Sequence, residues 1–438
     1  MPPLQPDDAR TLDSILANTS EETRQTIRVL GELLGNEPLA TLSPTQFAVR
    51  HLGVDAVGLA STKFNGPGTS LAILGNLLRL EMERHAATVI VGSPGEGLPP
   101  TWSHLDIGPD EKVAVPGRLV AFFPAGTLAE SPLCVAIDDR HWHREFAILS
   151  ASSAKPAAEH VLRSFRERLK TDENPLRGRV LEACVNDGCV RISVSPPIAS
   201  ERGGLVLPAP LWSEVDVFIA SATSRRDILR RLGLGTNRGL LIAGPPGVGK
   251  THLVRVIASE LAGQYTTILA DANSMRHNIA DLYAESDTFG PTLVVLDDID
   301  LVLGHRDGSG NNASLADFLA TIDGVRQREG ILTIATTNDP KSLDPAAQRS
   351  SRFDMVVTLP MPDEASRERI LQYHLGPLHL PIDAAVLARV LEGATGADVK
   401  EVVRRAVLEH GETFTQQQLI EIAESGRWKA AVNRRRYL

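Results

Sequence analysis

The second half of the chain predicts an α/β fold, a parallel sheet covered by helices on both faces, preceded by an α+β region over residues 1–203. Three observations carry that expectation. Gly239–Ala243 (GLLIA), Thr266–Ala270 (TTILA), Thr292–Leu296 (TLVVL) and Ile331–Thr336 (ILTIAT) are short, apolar, β-rich runs, and unbroken apolarity suits strands buried on both faces. The stretches between them are long enough for helices, and strands alternating with helices build parallel sheets. The first run leads straight into a loop of glycines and prolines, followed by an apolar helical stretch, His252–Leu261.

Taken in order, residues 1–35 read as helical. Leu12, Ile15 and Leu16 share a face, and Ser20 caps a second helix holding Ile27, Leu30, Leu33 and Leu34, which Gly35 stops. Recurring leucines from Leu71 to Leu80 predict a helix over Ser70–His85. Thr88–Gly92 and Arg118–Phe123 are strand candidates bounded by Gly and Pro. Pro156–Lys170 is helical, and its Arg163, Arg166, Arg168 and Lys170 read as a solvated face. A Gly/Pro-rich boundary, ERGGLVLPAPLW, then opens a large domain over 204–362, a helical domain over 363–426 and a basic tail over 427–438. At roughly 100–200 residues per domain, 438 residues allow two to four domains.

Composition narrows the classes. The chain is 42% hydrophobic and 23% charged, an ordinary globular balance, and its net charge of −9 argues against a polyanion binder as a whole. Three cysteines are too few for a disulfide framework, so a reducing cytoplasm is the expected compartment. No apolar run approaches the ~20 residues that span a bilayer, and MPPLQPDDAR lacks the basic start and apolar stretch of a signal peptide. No membrane partner is expected.

The motifs carry the chemistry. Gly244, Pro245, Pro246, Gly247, Val248, Gly249, Lys250 and Thr251 match G-x-x-x-x-G-K-[ST] in full. Such a loop lets backbone N–H groups and the following helix N-terminus cradle phosphate oxygens. Lys250 reaches the β and γ phosphates, and Thr251 completes the shell of Mg²⁺. The strand TLVVL ends in Asp297 and Asp298, placing one carboxylate beside the metal and a second to polarise a water. The strand ILTIATT ends in Asn338, an amide able to hold the γ-phosphate and the attacking water. The segment SLDPAAQRSSRFD follows, with Arg349 and Arg352 three residues apart.

In this order, these pieces resemble an AAA ATPase of the subfamily carrying the second region of homology, of the cell-division-cycle and FtsH-like kind. The resemblance covers roughly residues 204–410 and is most specific in GPPGVGKT, TTNDPKSLDPAAQRSSRFD and TGAD at 395–398. It implies a P-loop NTPase sheet with a small helical lid, ATP and Mg²⁺ as cofactors, and a homo-oligomeric ring, usually a hexamer, with ATP sites between subunits. It makes Asp297 the Walker B carboxylate, Asn338 sensor 1, and Arg349 and Arg352 arginine fingers acting in trans. It brings His252, Gly396 and Ala397 to the nucleotide, and likens Asp216–Ile219 to the segment whose backbone reads adenine. A protein client is the first expectation, with a nucleic-acid motor or a scaffold of negligible turnover as alternatives.

Two departures stand out. The family pattern ends in Asp-Glu where this chain has Asp297-Asp298; the side chain is one methylene shorter, and misplacements of ~1 Å cost about a hundredfold in rate. The substrate-threading loop lacks the family's aromatic-hydrophobic-Gly triplet, and Met275, Arg276 and His277 stand there instead. Elsewhere, Asp138, Asp139, His141 and His143, with Cys134 nearby, read as surface polar residues before a metal site. Cys184 and Cys189 are expected to face each other across a hairpin as reduced thiols.

Overall fold

The computed structural model describes residues 42–95, 98–108, 110–140, 143–186, 189–270, 275, 278–300, 330–338, 353–426 and 428. The helices expected over 1–35, the residues Arg276, His277, His141, Arg349 and Arg352, and the tail after Trp428 lie outside them. The chain divides into two compact units, one drawn from residues up to Gly66, Leu78–Ser103 and Ala114–Ser164, the other from Pro67–Leu77, His104–Val113 and Phe165 onward.

In the first unit a short helix, α1 (Pro44–Leu52), opens with a capping box between Ser43 and Gln46 and stops at Gly53. The strands β1 (Leu59–Phe64), β2 (Ile90–Gly92), β3 (Thr101–Asp106), β4 (Lys112–Phe123), β5 (Leu133–Arg140) and β6 (His143–Ala151) form a six-stranded sheet ordered β1-β6-β5-β4-β2, with β3 also on β4. Helix α2 (Gly68–Arg84) lies where the leucine spacing placed it. Phe47 and Ala48 of α1 bury against Val120, Cys134 and Leu149 on one face of the sheet. The acidic pair of β5 is engaged by cations: Asp138 accepts from Arg140 at 2.6 Å and faces Arg118, while Asp139 faces Arg144. Helix α3 (Lys155–Arg168) buries Ala158, Val161, Leu162 and Phe165 and leaves Arg163 and Arg166 exposed, the amphipathic spacing expected of it.

The second unit holds a seven-stranded sheet. Its strands are β7 (Val180–Asn186), β8 (Cys189–Ser195), β9 (Arg238–Ala243), β10 (Thr266–Ala270), β11 (Thr292–Leu296), β12 (Ile331–Thr337) and β13 (Met355–Thr358), ordered β13-β9-β12-β11-β10-β7-β8. All neighbours are parallel except β7 and β8, which form an antiparallel hairpin. The four central strands fall on the four apolar runs, because burial on both faces demands that unbroken pattern. The hairpin lies before residue 203, so the sheet crosses the boundary expected there. Its register sets Asn186 opposite Cys189 and Cys184 opposite Arg191, so the two cysteines are not facing partners but stand two positions out of register.

Helices α4 (Ala209–Ala222), α5 (Arg226–Arg231), α6 (Lys250–Glu260) and α7 (Ile279–Ser286) accompany the sheet. Val215 and Phe218 of α4 and Leu253, Val254 and Ile257 of α6 join Leu240, Ile242, Leu332 and Ile334 in one core. Met275, expected on the substrate-threading loop, is buried. Helices α8 (Glu364–Leu375), α9 (Ala384–Val390), α10 (Gly396–His410) and α11 (Gln416–Ser425) form a helical subdomain with its own core. Side chains of Asp363, Asp383, Thr395 and Thr415 cap the four N-termini. Trp428, expected on a basic tail, buries in that core and donates its indole N–H to Ala423 O at 2.6 Å.

Candidate active site

Strand β9 delivers the chain into the loop Gly244–Gly249, and α6 begins at Lys250. Gly247 has φ +81°, which L side chains rarely adopt, and a Cβ there would meet Thr395 Oγ1 at 2.6 Å. That close approach lets Ala397 N–H donate to Gly247 O at 3.0 Å, so the helical subdomain touches the loop through the Gly396–Ala397 turn.

Lys250 is buried at 6% exposure. Its ammonium donates to Gly244 O at 2.9 Å, Pro245 O at 3.0 Å and Asn338 Oδ1 at 2.7 Å. Burial lowers its pKa, and the carboxylates of Asp298, Asp300 and Asp297 oppose that shift. Thr251 Oγ1 donates to Asp297 Oδ2 at 3.2 Å. A hydroxyl and a carboxylate, both hard oxygen donors, fit Mg²⁺, which takes one or two protein ligands and fills its octahedron with phosphate and water.

Strand tips β11 and β12 meet beside the loop. Asn338 donates through Nδ2 to Asp298 Oδ1 at 3.0 Å and to Asp300 Oδ2 at 3.3 Å, and its backbone N–H donates to Asp300 Oδ1 at 3.2 Å. Asp298 has φ +51°, a left-handed conformation uncommon outside glycine. Burial raises its pKa, with Asp297 and Asp300 adding to the effect and the Asn338 hydrogen bond and Lys250 opposing it. At this turned backbone the Asp298 carboxylate lies against the Asn338 amide.

Lys250, Thr251, Asp298 and Asn338 line a cleft of about 820 Å³ that Gly244, Pro245 and Asp297 do not line, within the ~300–1,000 Å³ typical of ligand pockets. Loop residues 246–252, Asp298, Asn338, Gly396 and Ala397 line it as expected. Sequence reasoning missed the opposite wall: Gly204–Pro208, Ile370, Tyr373, His374 and Lys400. Asp216–Ile219, expected to read adenine, instead lies inside α4, where the backbone is committed to helix bonds. The segment lining the cleft is Gly204–Pro208, which leaves a 3-10 turn at Gly204 and is extended at Leu205, and an apolar LVL between paired glycines and a proline was its sequence signal. Gly204 packs so closely on Tyr373 and His252 that a Cβ would sit 3.0 Å from the tyrosine hydroxyl oxygen and 3.1 Å from the imidazole. Burial lowers the pKa of both His252 and His374, with Lys400 next in effect.

Residues 240–361 match the ATPase family associated with various cellular activities (AAA). The chain is 37% identical over 193 residues to an ATP-dependent zinc metalloprotease FtsH of Caulobacter vibrioides, covering 41% of this chain and 31% of that protein. It is 32% identical over 244 residues to an ATP-dependent zinc metalloprotease FtsH 3 of Sphaerobacter thermophilus, covering 51% and 48%. It is 30% identical over 193 residues to Protein SAV of Sulfolobus acidocaldarius, covering 42% and 25%. The chain spans less than half the length of each of these relatives. The matched span takes in the loop, the acidic tip of β11 and Asn338 at the tip of β12, and this chain carries an AAA ATPase module that uses ATP and Mg²⁺.

Proposed function

We propose that the chain is the subunit of a homo-oligomeric, hexameric ring that couples ATP binding and hydrolysis to remodelling of a protein client in the cytoplasm. The observation carrying this reading is the bond network joining Lys250, Asn338, Asp298 and Asp300 at one end of the cleft. Nucleotide phosphates would lie along the loop against Lys250, with Thr251 and Asp297 holding Mg²⁺, which supplies charge neutralisation on the phosphate oxygens. Asp298 orients and deprotonates the attacking water, and Asn338 fixes that water and the γ-phosphate. Arg349 and Arg352 of a neighbouring subunit would stabilise charge developing in the transition state. Gly396 and Ala397 tie the helical subdomain to the loop, so loss of the γ-phosphate can move one against the other. Large domain 204–362 and lid 363–426 remain the working division, with the hairpin Val180–Ser195 added to the former. Among the described residues no helix is long and apolar enough to cross a membrane.

Turnover with Lys250→Ala and Asp298→Asn beside the unaltered protein tests the reading. Both variants are expected to lose roughly a hundredfold or more, and Asp298→Asn is expected to keep ATP binding. Unaltered protein turning over no faster than Lys250→Ala would sink it and favour an ATP-gated scaffold.

A further inference from the structure

One buried hydroxyl on β12 bonds two of the acidic residues of the site, Asp297 and Asp298. Thr336 on β12 is fully buried. Its Oγ1 donates to Asp297 Oδ1 and accepts from the backbone N–H of Asp298 at 2.8 Å. Its carbonyl accepts from Ile299 N–H at 2.9 Å. A threonine hydroxyl has one hydrogen to give, and Asp297 takes it. With Oδ1 so held, Oδ2 is the oxygen left facing Thr251. The N–H bond to the hydroxyl is the anchor of the left-handed turn at Asp298, a conformation that persists only where its surroundings fix it. Thr337, the next residue, has the opposite side-chain direction along the strand and cannot substitute.

We infer that Thr336 is a positioning residue for ATP hydrolysis, orienting Asp297 toward Mg²⁺ and locking the Asp298 turn that aims its carboxylate at the water held by Asn338. The inference rests on the proposed hydrolytic reading and assigns a task within it that neither the loop motif nor the acidic pair discloses. Residues holding a metal ligand from behind typically cost 10–100-fold in affinity or activity when replaced.

Thr336→Val removes the hydroxyl at nearly constant volume, and Thr336→Ser keeps it. Steady-state ATPase at saturating Mg²⁺ and a Mg²⁺ titration of fluorescent ATP-analogue binding are measured on all three proteins, with thermal unfolding as the check that each is folded. Thr336→Val is expected to lower kcat at least tenfold with KM for ATP within about threefold, and to raise the Mg²⁺ concentration giving half-maximal binding about tenfold. Thr336→Ser should restore both values to within about threefold. Should the Val variant match the unaltered protein in turnover and Mg²⁺ requirement, or the Ser variant fail as badly as Val, the inference is overturned. Should the unaltered protein itself not exceed Lys250→Ala, the hydrolytic reading falls, and the Mg²⁺ titration still decides the role of Thr336 toward the metal ligand.

Discussion

Cys134 lies in the core beneath α1, and burial pushes its thiol pKa up to about 12. At pH 8 that leaves a thiolate fraction on the order of 10⁻⁴, behind side chains that exclude any reagent. An aromatic disulfide reagent should therefore count the same number of reactive thiols in native Cys134→Ala as in the unaltered protein. In guanidinium chloride the unaltered protein should count one more; a native count already one higher would contradict this burial. The placement of site residues was legible where they sit in a loop motif or at the tip of an apolar strand, as with Lys250, Thr251, Asp297 and Asn338. It was illegible where tertiary packing does the placing. Thr336 is an ordinary strand residue until β11 comes alongside, and Tyr373 and His374 reach the cleft from a helix more than a hundred residues after the loop.

At the scale of elements, the hairpin β7–β8 covers β10, whose outer edge would otherwise present unpaired backbone groups. Leu181 and Ala183 are buried with it. A fragment starting at residue 204 should therefore aggregate or melt well below one starting at Phe165, as read by size exclusion and thermal unfolding; equal behaviour would show the hairpin to be dispensable. The central strands were readable because a doubly covered strand must be apolar throughout. The hairpin itself was expected between Cys184 and Cys189, but its place in this sheet was not, since no local signal names the distant strand it joins. The segment expected to read adenine was misplaced: Asp216–Ile219 lies within a helix that Val215 and Phe218 anchor in the core.

For the whole molecule, the proposed ring makes each active site the work of two subunits, which mixing can test. Lys250→Ala protein lacks a working phosphate loop but keeps Arg349, and Arg349→Ala protein has the reverse defect. Mixed in equal amounts, they should turn over ATP several-fold faster than either alone, because Lys250→Ala subunits lend arginines to intact loops beside them. A mixture no faster than the average of its parts would place those arginines in cis or outside the reaction. The β7–β8 hairpin bears on how such a molecule is made. Its strands are only two residues apart in the chain, whereas the other pairings of that sheet join segments tens of residues apart. Local hairpins close within microseconds, and long-range parallel pairings come later. A chain leaving the ribosome therefore holds a finished strand edge before its phosphate loop has been synthesised, and β10 is the first of the later strands that can zip onto it.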